Sequence, residues 1–351
     1  INNIYRRDTM KKMLIVFVLV ILGCSQNRVS QNVSTDKTGA FLGSEDEVYY
    51  MVTMMSGIEY WVGVYEGFKM AGRQLGVKTV YTGTPEYDIN KEVSVFNQVL
   101  VKNPAGIAVH PIEPNAFIDP INQAMDSGVK VVTFAADSPD SKRLAFITSD
   151  NVKEGYAAAD AIAEAMGGRG EVCVIENPGQ LNHEIRVRSF IEKIERDYNI
   201  KVVARAVGNQ DANRAYTALQ TMVQANPNIK GCFIPEATSG MGAAQAALEL
   251  GTGINVICVD INEAVLDMIS DGKMFGAIQP NVAMQGYLSM LFLYASKHGL
   301  LDPMNGWQTL NKEAFQVPLV DNGLDIVTKE NAEFFYTKRY LERLGSKGTE
   351  E

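Results

Sequence analysis

The sequence predicts an α/β protein made of two similar lobes, each built around a parallel β-sheet. Short apolar runs alternate with longer stretches of helical hydrophobic period along most of the chain, and this alternation is typical of parallel sheets flanked by helices. A chain of 351 residues, 46% of them hydrophobic, can bury a large core and favours two domains over one. The alternation divides into two similar sets around Ser149-Asp150-Asn151, which predicts one lobe on each side.

The first repeating unit, residues 48–76, combines one strand, one short loop and one amphipathic helix. Residues 48–55 are apolar or β-favouring at nearly every position, as in a parallel strand buried on both faces. Apolar residues then recur at helical spacing over 64–75. Tyr60 and Trp61 lie where the loop becomes the helix, at the edge of an open α/β sheet where ligands bind.

The later units follow the same order. Further strands are predicted at 77–82, 106–110, 129–134, 144–148, 171–175, 201–207, 231–235, 255–259 and 275–279. Helices are predicted at 90–102, 115–126, 152–166, 184–198, 213–225, 239–250 and 263–270. Asn151 with Glu154 three residues later is a capping-box pattern, which predicts a helix start just after the midpoint.

The chain end is predicted to add a long apolar helix over 283–298, an irregular stretch, a late strand over 314–320 and a helix from Thr328.

The N-terminal region predicts export and lipid anchoring. Two lysines and the apolar run 13–22 are typical of a secretory signal and too short for a spanning helix. The sequence Ile-Leu-Gly-Cys ending at Cys24 resembles a bacterial lipobox, in which the cysteine is lipidated and becomes the mature N-terminus. We expect residues 1–23 to be upstream sequence and signal, and residues 24–46 to be a polar tether. An uncleaved anchor helix is the alternative.

The net charge argues against a nucleic-acid partner, and the positions of the cysteines argue against a disulfide or a metal site. The net charge of −9, with scattered Lys and Arg, argues against a nucleic-acid partner. Cys173, Cys232 and Cys258 each lie inside an apolar run, which favours buried free thiols over a disulfide or a metal site. No cofactor or metal is expected.

The sequence gives little support to an enzymatic function, because it lacks the common catalytic motifs. The chain has no GxSxG, no GxxxxGK[ST] and no HExxH, and its first strand–helix turn lacks the GxGxxG that would cradle a pyrophosphate. The chain has three histidines, and none has an evident spacing to a nucleophile that would indicate a catalytic pair.

Instead, aromatic, amide, carboxylate and cationic residues recur where strands are expected to end. Such groups, with an aromatic face on the C–H side of a ring, are what a neutral sugar requires. The candidate ligand residues are Thr53, Tyr60, Trp61, Asp137, Asn182, His183, Glu184, Arg186, Gln210, Glu236, Asp260, Gln279 and Asn281. Several also have a structural interpretation, as core aromatics, helix caps or a solvated helix start, and His110 is interpreted as a structural histidine.

At the level of longer segments, the chain resembles the bacterial periplasmic sugar-binding proteins of the type I fold, the ribose, galactose, rhamnose and autoinducer receptor group. The resemblance covers about 48–335 and is carried by MVTMMSGIEYWVGVYEGFKMAG, GVKVVTFAADSPDS, ANPNIKGCFIPEATSGMGAAQA, VICVDINEA and DGKMFGAIQPNVAMQGY. It implies two Rossmann-like lobes joined by three crossovers that act as a hinge. The expected N-terminal lobe is 47–148 plus 282–312, the C-terminal lobe is 149–281 plus 313–335, and 336–351 is a tail.

The resemblance also assigns roles to individual residues. Tyr60 and Trp61 match the paired aromatics that pack on the sugar ring, and Asp260 matches the aspartate that accepts two hydroxyls. Thr53 matches a strand-end hydroxyl, and Glu236 a polar residue after a strand.

Three positions depart from the ribose receptors. Ala135-Ala136 replaces Asp-Arg, with Asp137 one step later, Glu184 replaces a ligand arginine, and Gln210 replaces an aromatic. Met54 and Ala135 likewise replace a lysine and an aspartate of the autoinducer receptor. Neither ribose nor a furanosyl autoinducer is favoured.

The sequence therefore predicts a monomeric, lipid-anchored solute-binding protein in the periplasm or on the outer face of the cytoplasmic membrane. Its expected partners are a neutral monosaccharide or polyol and an ABC transporter permease. The alternative function is a sugar sensor that presents its closed form to a chemoreceptor or histidine kinase.

Overall fold

The computed structural model describes residues 43–44, 46–300 and 316–343. Cys24, the signal segment 1–23, nearly all of the tether and the part 301–315 lie outside the described residues. Among the described residues, no helix combines the length and the apolarity needed to cross a membrane.

Twelve strands in the described residues form two six-stranded sheets. The strands are β1 (Val48–Thr53), β2 (Lys78–Gly83), β3 (Gly106–Val109), β4 (Lys130–Phe134), β5 (Ala145–Thr148), β6 (Arg169–Glu176), β7 (Asn199–Val207), β8 (Ile229–Ile234), β9 (Asn255–Val259), β10 (Gly276–Pro280), β11 (Val317–Asp321) and β12 (Leu324–Thr328). The first sheet has the order β11-β5-β4-β3-β1-β2 and the second has the order β12-β10-β9-β8-β6-β7.

Helices connect and cover the strands. They are α1 (Tyr60–Leu75), α2 (Ile89–Leu100), α3 (Ile118–Asp126), α4 (Asn151–Ala165), α5 (Leu181–Asp197), α6 (Ala212–Ala225), α7 (Ala237–Leu250), α8 (Glu263–Ser270), α9 (Val282–Lys297) and α10 (Thr337–Arg343), with 3-10 turns at Asn115–Phe117 and Ala332–Phe334. The predicted class of two α/β lobes with largely parallel sheets is confirmed, since β12 is the only strand of the described residues that runs antiparallel to its neighbour.

The three cysteines lie where the apolar runs predicted. Cys173 is in β6, Cys232 in β8 and Cys258 in β9, and all three are buried and free. Burial raises the pKa of Cys258, and contact with Cys173 together with burial raises that of Cys232.

The end of the chain differs from the prediction. The segment 313–335 was expected wholly in the C-terminal lobe as one strand and one helix, but β11 pairs with β5 of the first sheet and β12 with β10 of the second. The reason is that Asn322-Gly323 carries the chain from one sheet to the other between two short strands. Thr328, the predicted start of a helix, is instead the last residue of β12. A 3-10 turn at Ala332–Phe334 follows, and the α-helix α10 lies within the expected tail.

The chain passes between the lobes three times, after Thr148, after Pro280 and after Asp321, and these crossings are hydrogen-bonded together. Asn322 donates its backbone N–H to the Thr148 carbonyl (3.2 Å) and its amide to the Asn281 carbonyl (3.0 Å). Asn281 N–H in turn donates to the carbonyl of Gly323 (3.0 Å). The strand ends of the two sheets are therefore held facing each other.

Helices α1 and α9 cover one face of the first sheet and pack backbone to backbone through two glycines. A Cβ on Gly67 would lie 1.8 Å from the carbonyl oxygen of Ala283, and one on Gly286 would lie 1.8 Å from that of Val64. This close approach places the start of α1, with Tyr60 and Trp61, directly beside the second crossing.

The C-terminal segment 335–343 contacts both lobes. Phe335 and Tyr336 pack on the core of the second lobe, and the Tyr336 hydroxyl donates to Asp267 (2.7 Å). On the first lobe, Thr337 donates to Glu59 and the Tyr340 hydroxyl accepts from Ala283 N–H (3.2 Å).

Candidate functional site

A cavity of about 350 Å³ lies between the lobes, where the carboxyl ends of the parallel strands of both sheets meet. This is the edge at which open α/β sheets bind ligands. Its wall on the first lobe is formed by Met54, Met55, Ile58, Tyr60, Trp61, His110, Ile112 and Ala135. The second lobe and the crossings contribute Thr148, Ser149, Asn151, Asn182, Arg186, Gln210, Asp260 and Pro280.

Trp61 belongs both to the cavity wall and to the core of the first lobe. The side chain is 4% exposed, and its indole N–H donates to the Met54 carbonyl (3.1 Å). Its ring packs edge-on against Phe134 and lies 4.8 Å, centroid to centroid, from His110. Both sequence interpretations of this residue, ligand wall and core aromatic, are therefore compatible with its position.

Tyr60 is oriented by the long helix α9. Its hydroxyl donates to Gln285 Oε1 (3.1 Å), and the Gln285 amide donates to the Ile147 carbonyl (3.3 Å). The ring stands at 87° to that of Trp61. A fixed aromatic corner of this kind suits the C–H face of a sugar ring.

His110, interpreted from the sequence as structural, lines the cavity at the end of β3. It is 9% exposed, and its Nδ1 finds no hydrogen-bond partner among the described residues. Burial lowers its pKa to about 4, so the ring is neutral near pH 7. The predicted strand 106–110 included His110, whereas β3 ends at Val109, so His110 is the first residue after the strand.

On the second lobe, the wall is organised by a buried cation. The Arg186 guanidinium donates to Glu154 and to the Pro235 carbonyl (3.0 Å), and its Nη1 lies 3.8 Å from Asp260 Oδ2. Glu154 is fully buried and also accepts from the Ser149 hydroxyl. Burial raises the pKa of Asp260 to about 6, Glu154 and Glu236 add to this effect, and Arg186 opposes it.

Backbone strain concentrates around the cavity. Met55, Ala135, Gln210 and Asp260 have φ values of 52°, 59°, 57° and 67°, although none is glycine. Each lies within three residues of the end of a strand, β1, β4, β7 or β9. Left-handed residues other than glycine cost roughly 1–3 kcal/mol and persist where the surroundings fix them, typically at binding sites.

Asn177, which the sequence did not single out, holds one of these strained loops. Its Oδ1 accepts from Gln210 N–H (3.0 Å) and its amide donates to Glu236 Oε1 (3.3 Å). His183 Nδ1 lies 3.5 Å from the same amide, and burial followed by the charge of Arg186 lowers the pKa of His183 to about 3. Asn177 thus positions Gln210 from behind the wall.

Of the predicted ligand residues, Tyr60, Trp61, Asn182, Arg186, Gln210 and Asp260 line the cavity. Gln279 and Asn281 instead line a larger neighbouring cavity of about 650 Å³ beside the crossings, which Tyr340 helps to enclose.

The remaining predicted residues make local contacts instead. Thr53 bonds to the Tyr81 hydroxyl (2.9 Å), and Asp137 is held by Arg143, Thr133 and Ser138. Glu236 caps α7 by accepting from Thr238 and Ser239 N–H. Glu184 accepts from Gly179 N–H (2.8 Å) at the exposed start of α5.

The apolar lining residues gave no sequence signal. Met55, Ile58 and Ile112 lie in the loops that follow β1 and β3, but their side chains look like ordinary core residues in the sequence. Only the loop geometry shows that Met55 and Ile58 remain 40% exposed at the cavity.

Two facing α/β lobes, three crossings and a cavity between the strand ends define the class of two-lobed solute-binding proteins. A profile of the family described as periplasmic binding protein domain matches residues 49–299. The chain belongs to this family, and the resemblance to its type I sugar-binding group is confirmed.

Known relatives fit this assignment. The D-allose-binding periplasmic protein of Escherichia coli K12 is 28% identical over 281 residues, which cover 76% of this chain and 89% of the relative. The arabinose-binding protein AraP of Geobacillus stearothermophilus is 35% identical with a TM-score of 0.78 over 83% of this chain and 100% of its own. A sugar-binding protein of a Bacillus halodurans sugar ABC transporter is also 35% identical, with a TM-score of 0.77 and the same coverage.

Because Trp61 is packed into the first-lobe core, Trp61→Ala should lower the free energy of unfolding by about 3–5 kcal/mol in the ligand-free protein. Urea denaturation followed by circular dichroism measures this. The control is Tyr87→Ala, which removes an aromatic ring that is 65% exposed and should cost less than about 0.5 kcal/mol. Equal costs for the two variants would contradict the core position of the indole.

Proposed function

We propose that the protein is an extracytoplasmic solute-binding lipoprotein that captures a neutral monosaccharide or related polyol for an ABC importer. The observation that carries the proposal is the composition of the cavity, in which a fixed aromatic corner faces amide, guanidinium and carboxylate groups. Aromatic rings pack on the C–H face of a sugar, while the polar groups exchange hydrogen bonds with its hydroxyls. The relatives that bind allose and arabinose support this ligand class.

Capture works by closure about the three crossings. The solute contacts side chains of both lobes, so it has more contacts in the closed arrangement than in an open one and shifts the population toward closure. A permease then receives the closed form.

Cys24 carries the lipid anchor in this proposal, and residues 1–23 are removed. The order of lysines, apolar run and Gly23-Cys24 supports it. Mass spectrometry of the mature protein from its native host should find a lipid-modified N-terminal cysteine. A mature chain that retains residues 10–23 would contradict the anchor.

Neutral sugars should stabilise the protein in a thermal-shift screen, and sugar phosphates and sugar acids should not. At a free concentration about 100 times the dissociation constant, a sugar adds roughly 2.7 kcal/mol to the free energy of unfolding. Asp260→Ala should abolish most of the shift, because the hydroxyls lose a charged acceptor. The control, Asp140→Ala, removes an exposed carboxylate outside the cavity and should keep the full shift. Stabilisation by anionic sugars alone would contradict the proposal.

Affinity should fall as the pH falls through about 6, the pKa of Asp260. Above this value the carboxylate is charged and accepts hydroxyl protons, and below it one oxygen carries a proton. We expect roughly tenfold weaker binding at pH 5 than at pH 7.5 by isothermal titration. His110, with a pKa of about 4, stays neutral across this range.

The matched variant is Asp260→Asn, which should bind weakly at both pH values. Its ligand-free stability separates the two effects. Since folding raises the pKa of Asp260 above its unfolded value of 3.8, the carboxyl's contribution to stability decreases as pH rises from about 4 to 6. As the pH rises toward 6, the affinity of the wild type for the sugar should therefore increase while its free energy of unfolding decreases. Relative to these changes, Asp260→Asn should show neither. An affinity independent of pH would exclude Asp260 from the ligand contacts.

A further inference from the structure

The two walls of the cavity differ sharply in polarity. Met55, Ile58, Ile112 and Ala135 line the side of the first lobe, and within the described residues no charged side chain of that lobe lines the cavity. The second lobe presents Asn182, Arg186, Gln210 and Asp260. Hydroxyls on a bound solute can therefore find partners on one side much more readily than on the other.

Polar groups of the first lobe near the cavity are mostly engaged elsewhere. The Tyr60 hydroxyl donates to Gln285, and Thr53 bonds to Tyr81. Asp137 is bound by Arg143 through both carboxylate oxygens. Two groups differ: the neutral imidazole of His110, which sits beside the indole of Trp61, and the hydroxyl of Thr148, which lines the cavity at the end of β5. Neither belongs to the aliphatic part of the wall formed by Met55, Ile58 and Ile112.

We propose that the solute carries hydrogen or methyl, rather than hydroxymethyl, on the ring carbon that faces Met55, Ile58 and Ile112. The proposal takes that carbon to be carbon 5, so that the site selects a pentopyranose or a 6-deoxyhexose over the corresponding hexose. This inference rests on the proposed function and specifies its ligand class.

The physical reason is the cost of an unpaired hydroxyl. A hydroxymethyl group pressed against Met and Ile side chains gives up its hydrogen bonds to water and gains none. A methyl group in the same place loses nothing and adds apolar contact. The expected difference in dissociation constant is about tenfold to a hundredfold.

Matched sugar triads test the inference by isothermal titration. Each triad shares its ring hydroxyls and differs only in hydrogen, methyl or hydroxymethyl on carbon 5. One is L-arabinose, D-fucose and D-galactose, and another is D-ribose, 6-deoxy-D-allose and D-allose, with the corresponding D-xylose and D-lyxose series added. In the triad that binds, the hydroxymethyl member should be at least tenfold weaker than the other two.

The outcomes separate the selection against a hydroxymethyl group from the sugar-binding function itself. A hydroxymethyl member that binds as tightly as its methyl counterpart overturns this inference and leaves the sugar-binding function intact. Absence of binding by every triad overturns this inference, and absence of stabilisation by any neutral sugar or polyol in the thermal-shift screen overturns the proposed function as well.

Two variants locate the effect on the wall. Ile58→Ser adds a hydroxyl to the apolar wall at a position that is 40% exposed, so the fold should persist. The gap within the triad, meaning the ratio of the dissociation constant of the hydroxymethyl sugar to that of its methyl counterpart, should narrow at least threefold. The control is Val62→Ser, equally exposed but outside the cavity, which should leave the gap unchanged. Asn182→Ala should weaken all three members by similar factors, because it serves hydroxyls that they share. A gap that is unaffected by Ile58→Ser contradicts the assigned wall.

Discussion

The buried guanidinium of Arg186 is the interaction on which the polar wall depends. Removing a charge from water is tolerated only when opposite charges and hydrogen-bond acceptors surround it, and here Glu154, Asp260 and the Pro235 carbonyl do so. These partners come from α4, the end of β9 and the end of β8. Through Ser149, Glu154 also reaches the first crossing. One cation thus sets the relative positions of two strand ends, the start of α4 and, through Glu154, the first crossing.

The first lobe buries a comparable pair and uses it differently. Arg143 binds both oxygens of Asp137, and its Nη1 donates to the Val317 carbonyl (3.1 Å). That contact ties the edge strand β11 to the loop after β4. Because Thr133 and Ser138 occupy the same carboxylate, Asp137 has little capacity left for a ligand. Asp260 keeps a looser 3.8 Å contact with its arginine and is 32% exposed, so its oxygens remain available at the cavity.

Sequence reasoning succeeded where one local signal determines the outcome. Apolar runs and helical periods predicted the alternation from β1 to α9, because each element buries its own hydrophobic pattern. It failed at β11 and β12, since two short strands that belong to different sheets carry no periodicity that assigns them. Asp137 and Asp260 show the same limit in the site. Both follow strands, and only the fold shows that Arg143 takes up both oxygens of Asp137 while Arg186 leaves Asp260 partly exposed at the cavity.

Two sets of contacts hold the lobes in their arrangement. The three crossings bond to one another through Asn281 and Asn322. Beside the second crossing, where Tyr340 accepts from Ala283 N–H, the C-terminal segment bonds to the second lobe through Tyr336 and to the first through Thr337. A single short segment therefore contacts both lobes, so a change in their separation acts on its hydrogen bonds as well as on those between the lobes and a solute. A solute shifts the arrangement only by the contacts that it makes better in one state than in another, and the contacts of the chain end enter the same balance.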